Sequence, residues 1–321
     1  MKTNMLCILL LRKTKLDQLE KESSFLKYNS KTMNSKKAYS LFETSIAILI
    51  LSLLIGIVIQ GSRMVAMYRL QTAQSLTQSS PVSAIKNLVT WLEATSEVSF
   101  DDAEEVDGSK ITNWYDINQQ TNVKNNSVNN SAITSDHPTY KSKCINNLPC
   151  LKFNGSSQYM DIAQNAGYTN ELTIFVVFAS YNNEDSNSHT IIGTDGAWSS
   201  GISFRLKRST NVAYQTPNAS NDNATGAVIA NKNYIAAVVD GYSTITSYLN
   251  GAATSTTSVL AADRLTKRLS ALNIASSSAG TRNNFFDGNI GEIIIFDRAL
   301  KNYERQNIEK YLSQKWQIPL S

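Results

Sequence analysis

The stretch "KKAYSLFETSIAILILSLLIGIVIQGS", Lys36 to Ser62, limits the possible folds more than any other. From Thr44 to Ile59 every residue is apolar or small, with Ser45 and Ser52 the polar exceptions. Together with Tyr39–Phe42 this makes a helix of roughly 20 residues, about 30 Å, the depth of a hydrocarbon core. The run is apolar on every face, unlike the one-sided helix of a soluble domain. Leu41 to Gly61 therefore reads as a transmembrane segment. Lys36 and Lys37 stand just before it, so the positive-inside tendency predicts a cytoplasmic N-terminus and export of the chain beyond Gly61. The expected location is the inner (cytoplasmic) membrane, in a single pass, with the body in the periplasm or at the cell surface. Beyond the span, "SRMVAMYRLQTAQSLTQ" keeps good helix formers until Ser79, Ser80 and Pro81 break the pattern. One rod from Tyr39 to Gln78 is predicted, about 60 Å long.

Charge divides the chain at the same place. Residues 1–37 hold nine Lys/Arg and three Asp/Glu, leaving twenty-one and twenty-three for the rest. The basic balance belongs to the leader, and the body lacks the basic stripe that nucleic-acid binding needs. Two histidines, His137 and His189, leave little room for His-based catalysis or a multi-His metal site. Cys144 and Cys150, in "CINNLPC", are the obvious disulfide pair if the body is exported, and otherwise two thiols in a loop.

From Lys86 the texture changes to short apolar runs between Asn, Gly, Asp and Ser clusters. "LVTWLEA", "KITNWYD", "PCLKFNG", "ELTIFVVFAS", "HTIIG", "GISFRLKR", "NVAYQT", "NYIAAVVDG", "TITSYLNG", "ALNIAS" and "GNIGEIIIFD" read as strands. Many strands without alternating helices predict a mainly β fold, an antiparallel β-sandwich behind the long helix. "VVDGYSTITSYLNGAATS" reads as two consecutive hairpins. The polar segment 122–135 reads as a long surface loop. "NYERQNIEKYLSQKW" reads as a closing helix with Asn302 as N-cap and Ile308, Tyr311, Leu312 and Trp316 on its packing face. The domains expected are a leader at 1–38, the helix at 39–80, a linker at 81–87 and the sandwich at 88–321.

"KKAYSLFETSIAILI" resembles the N-terminal motif of type IV prepilins and pseudopilins. Ala38 takes the small position before the cut, Tyr39 the first mature position, and Glu43 the acid ahead of the apolar run. The resemblance implies a prepilin peptidase that cuts between Ala38 and Tyr39 and methylates the new Tyr39 amine. It implies that Glu43 pairs with a neighbouring subunit's N-terminus, so that pilin-like subunits are partners. Physics is compatible: an acid near the membrane costs free energy that an amine in the same layer offsets. The departures are Ala in place of the commoner Gly and a long leader, which a start at Met33 would shorten.

Leu88 to Gln317 resembles the concanavalin A-like, laminin G-like domains of bacterial surface proteins. "VTWLEA", "DGSKITNWYD" and "CINNLPCLKFNGSSQYMDI" carry the first half, and "FDGNIGEIIIFDRALKNYERQNIEKYLSQKW" the end. The resemblance implies a two-sheet jelly roll that binds a glycan or protein, in some members through Ca²⁺. The acidic run "DDAEEVDG" offers Asp101, Asp102 and Asp107 as Ca²⁺ ligands, although it lacks EF-hand periodicity and reads more readily as a solvated acidic loop. Asp240 and Asn250 flank a hairpin and could supply oxygens, and Tyr159, Trp198 and Tyr214 could stack on a sugar. No other cofactor is expected. Glycoside hydrolysis needs two carboxylates facing one bond, and an ideal strand puts Glu292 and Asp297 on opposite faces. The residues therefore predict a binding or assembly protein and not an enzyme.

Overall fold

The computed structural model describes residues 40–162, 167–181, 188–194, 202–207, 211–215, 223–259, 267–269, 272–279 and 281–321. Helix α1 is Leu41–Gln78. In chain order the strands are β1 Leu88–Glu93, β2 Asn113–Trp114, β3 Ser127–Val128, β4 Thr139–Ile145, β5 Leu148–Asn154, β6 Met160–Ile162 and β7 Tyr168–Thr169. Then come β8 Leu172–Ser180, β9 Ser188–Thr194, β10 Ser203–Lys207, β11 Asn211–Gln215, β12 Asn223–Ala227 and β13 Asn233–Asp240. The last are β14 Thr244–Leu249, β15 Ala252–Ser258, β16 Lys267–Arg268, β17 Leu272–Ile274, β18 Ser277–Ala279, β19 Thr281–Asn283 and β20 Asp287–Phe296. Helix α2, Asn302–Trp316, closes the chain. The expected fold class is borne out: a long apolar helix, antiparallel sheets and a C-terminal helix.

Two compact units divide between Ser62 and Arg63. In the first, every large apolar residue from Leu41 to Ile59 is exposed, Ile46 least at 41%. Among the described residues one helix is long and apolar enough to cross a membrane. The second unit holds the sandwich and the end of α1, whose Ala73 and Thr77 are buried.

One sheet runs β15-β14-β13-β8-β20-β5-β4, with β1 also pairing β20; the other runs β12-β11-β10-β9-β17-β6-β3-β2. Strand β8 is buried along its whole length because both of its faces are covered. Ile174, Val176 and Phe178 meet the second sheet, while Phe175 and Val177 lie in the cluster under α2. Strand β20 switches faces by a bulge between Ile290 and Glu292. Ile290, Ile293 and Ile295 thus point inward, and Ile294 and Phe296 point to α2. A Cβ on Gly291 would lie 2.6 Å from the Trp316 ring, so the bulge glycine is what admits that indole. Strands β13, β14 and β15 form the two expected hairpins. Asn250 and Gly251 supply the second turn with positive φ, 50° and 84°.

Three local readings are corrected. Segment 122–135 is only in part a surface loop: residues 122, 123, 130 and 132–135 are exposed, but Asn125, Ser127 and Asn129 are buried. Their polarity serves the backbone: Asn125 Nδ2 donates to Val89 O at 2.8 Å, and Asn129 Nδ2 to the carbonyls of Asp136 and Tyr159 at 2.8 Å each. Asp116 joins in, accepting Trp91 N–H at 2.8 Å. Side chains thus pair part of the edge of β1 that no strand covers. Second, the N-cap of α2 is Lys301, not Asn302. Glu304 Oε2 accepts the Lys301 N–H at 2.9 Å while Arg298 grips the same carboxylate, so the acid three residues on fixes the start. Third, β3, β4, β6, β7, β12, β16, β18 and β19 are strands beyond those expected; all but β4 and β12 are only two or three residues long, too short to show a period.

Candidate functional site

The helix start comes first. Ala38 and Tyr39 lie outside the described residues, as does the rest of 1–38. Ser40 precedes α1, and its N–H donates to Glu43 Oε2 at 3.0 Å while Phe42 N–H donates to Ser40 Oγ at 3.2 Å. "SLFE" is a capping box, a pattern of Ser and Glu three apart that is visible in the sequence itself. Glu43 therefore also has a local role, satisfying a donor at the opening of an exposed apolar helix.

The acidic loop does not gather into a metal centre. Asp101 accepts the Tyr115 hydroxyl at 2.9 Å. Asp107 accepts the N–H and Oγ of Ser142 at 2.9 and 3.2 Å, and the Ser142 N–H holds its carboxyl below the ordinary 3.8. Asp102 is exposed. Among the described residues, no three His, Cys, Asp or Glu side chains converge as a metal would need. Asp240 accepts the Tyr214 hydroxyl at 3.1 Å in the core, and burial pushes that hydroxyl well above its ordinary 10. Tyr214 thus has no face to offer a sugar. Asn250 Oδ1 accepts Ile235 N–H at 3.0 Å and is a turn residue. Trp198 lies outside the described residues. Cys144 and Cys150 are joined in a disulfide with Cα atoms 5.8 Å apart.

Tyr159 is placed differently. Met160 and Ile162 enter the core, so Asp161 between them points to the outer face of the second sheet, beside Asn273 of β17. Arg282 of β19 donates from Nη2 to both oxygens of Asp161, each at 2.6 Å, and its guanidinium lies 3.5 Å from the Tyr159 ring centre. Asn273 Nδ2 donates to Asp161 Oδ1 at 3.2 Å. The pair is part-exposed, 25% for the arginine and 32% for the aspartate. Donors, acceptors and an aromatic in one charge-balanced patch suit the hydroxyls and apolar faces of a sugar ring. Asp161, Asn273 and Arg282 escaped the sequence reading because they lie on three strands far apart in the chain.

Asp297 lies past the end of β20, and Glu292 within it has an unforeseen setting. It lies opposite Glu93 across β1 and β20, and Lys315 of α2 reaches both, Nζ to Oε2 at 2.6 Å for Glu93 and 2.9 Å for Glu292. All three side chains are fully buried. Glu292 also accepts Trp91 Nε1–H, the Tyr311 hydroxyl and Trp316 Nε1–H at 2.8, 2.8 and 2.7 Å. Burial holds the Tyr311 hydroxyl well above 10, so it remains a donor. His137 and His189 each bond a backbone carbonyl, at 3.0 and 2.6 Å.

Residues 154–304 match the family model of the concanavalin A-like lectin/glucanases superfamily, a match that does not reach Lys36–Ser62. No curated protein matches. Among solved structures, a Trypanosoma rangeli sialidase bound to sialic acid is similar over 72% of this chain and 33% of its own, at 14% identity and TM-score 0.48. A sialidase CBM40 domain of Ruminococcus gnavus, bound to α2,3-sialyllactose, is similar over 46% of this chain and 93% of its own, at 12% and 0.36. A Limulus polyphemus SAP-like pentraxin is similar over 49% and 78%, at 15% and 0.40. The chain spans about a third of the length of the sialidases it matches.

The expectation that the chain is not an enzyme is corrected by these findings. The description of the matching family model takes in glucanases as well as lectins. The physical flaw lay in looking for carboxylates near one another in sequence. Glu93 and Glu292 are strand partners drawn from opposite ends of the sandwich's sequence, so absence of a local motif excludes nothing.

Proposed function

We propose that this chain is a membrane-anchored, lectin-like sandwich protein that recognises carbohydrate and, after a cut between Ala38 and Tyr39, joins a pilin-like or pseudopilin-like assembly. The observation that carries it is a helix, opened by Glu43, whose large apolar residues from Leu41 to Ile59 are all exposed, on a chain whose sandwich matches a lectin/glucanase family model. The N-terminus faces the cytoplasm and the sandwich is exported, in keeping with Lys36 and Lys37 and with the Cys144–Cys150 disulfide. A prepilin peptidase and sister subunits are the partners; the ligand is a glycan contacted at Tyr159, Asp161, Asn273 and Arg282.

The second reading is an unprocessed single-pass binding protein. The Ser40–Glu43 capping box favours it, since it gives the acid a role without a neighbouring subunit. Mass spectrometry of the mature N-terminus separates the two. A methylated Tyr39 supports assembly, and an intact Ala38–Tyr39 bond in cells with active peptidase rejects it. Glu43→Ala should abolish incorporation into filaments while leaving the chain in the membrane. A glycan array, run with and without EDTA, tests recognition: Arg282→Ala should lose any sugar that the wild type retains.

A further inference from the structure

The buried group under α2 is unequally provided with hydrogen bonds. Glu292 accepts three neutral donors besides Lys315, and both of its oxygens are used. Glu93 concentrates its bonds on one oxygen. Its Oε2 accepts Thr95 N–H at 2.8 Å, Thr95 Oγ–H at 2.7 Å and Lys315 Nζ at 2.6 Å. Its Oε1 is buried with no hydrogen-bond partner. Two carboxylates face one ammonium in a site without solvent, an arrangement that is costly unless chemistry or geometry relieves it. The rings of Trp91, Tyr311 and Trp316 complete the enclosure.

These are the parts of an amide-forming site, and we propose that Lys315 and Glu93 are joined by a side-chain isopeptide bond. A proton passes from the Lys315 ammonium to Glu292 Oε2, 2.9 Å away, leaving a neutral amine. The Nζ lone pair then bonds to Glu93 Cδ. The displaced electron pair rests on Oε2, where the two Thr95 donors act as an oxyanion hole. Within the tetrahedral centre the nitrogen passes a second proton to Oε1, while Glu292 keeps the first as a general acid. When the tetrahedral centre collapses, the Cδ–Oε1 bond breaks, and Glu292 returns its proton to the departing hydroxyl. One N–C bond forms, one C–O bond breaks, and one water leaves, with no change of oxidation state. Oε1 is the leaving oxygen because nothing holds it. In water such a condensation runs backwards; in a dry, preorganised site the reactants are already in contact and the product buries no ammonium. Lys315 also lines a cavity of about 90 Å³ beside Ala73 and Leu148, room for the released water.

The test is the intact mass of the full-length chain, reduced and denatured, against the mass required from its measured N-terminus. One missing water is expected, and a digest should give a branched peptide joining the segments of Glu93 and Lys315. A full sequence mass, or a lost water mapped elsewhere, overturns the bond. Lys315→Arg should restore the water. Glu292→Gln, checked for folding by its thermal melt, should remain unlinked; a linked Glu292→Gln chain overturns the role of Glu292.

Discussion

Gly291 shows how one residue sets the position of a helix. It carries the bulge that turns Glu292 toward α2, and its missing Cβ leaves the space that the Trp316 ring fills. Gly291→Ala should force the indole outward and weaken its bond to Glu292. Overpacking of this kind costs about 1–3 kcal/mol, read as a lower midpoint in denaturant at unchanged slope. Gly288→Ala tests whether the effect is specific to the indole, because there the added carbon would meet Ala179 O at 2.2 Å and the Phe286 ring at 2.6 Å instead.

At the scale of elements, the start of α2 makes a pH prediction. The Arg298 hydrogen bonds hold Glu304 below the ordinary 4.5. A carboxyl lowered in the fold binds fewer protons there than in the unfolded chain, so its stabilisation is complete above 4.5 and is lost as pH falls through the lowered value. Glu304→Gln should therefore cost stability at neutral pH and progressively less in acid, the two denaturation curves converging. If the gap persists undiminished in acid, the linkage is wrong. Elements also explain what the sequence could disclose. The period-two runs and both hairpins were legible, because alternation and positive-φ turn residues are local properties. The apolar span was legible for the same reason. The buried Asn125 and Asn129 were not: an amide bonded to the backbone of another strand has the same local sequence as one in water. The candidate glycan patch was legible only at Tyr159, since Asp161, Asn273 and Arg282 meet through strand order, which no local pattern encodes.

For the whole molecule, the division at Ser62–Arg63 separates a unit with exposed apolar residues from one that contains its own core. The full chain should sediment almost entirely with lipid vesicles. A chain beginning at Arg63 should stay in the supernatant with the same near-UV circular dichroism; co-sedimentation of that shorter chain would place the membrane affinity in the sandwich. The join between helix and sandwich has a mechanical side. The end of α1 is tied by Gln74 Nε2, which donates to Thr95 O at 3.0 Å, and by Thr77 Oγ1, 3.3 Å from the Tyr311 hydroxyl. Thr95 and Tyr311 in turn bond Glu93 and Glu292. A pull on the N-terminal part of α1 would thus pass through these side chains into β1 and on to its partner β20, which lies inside the sheet.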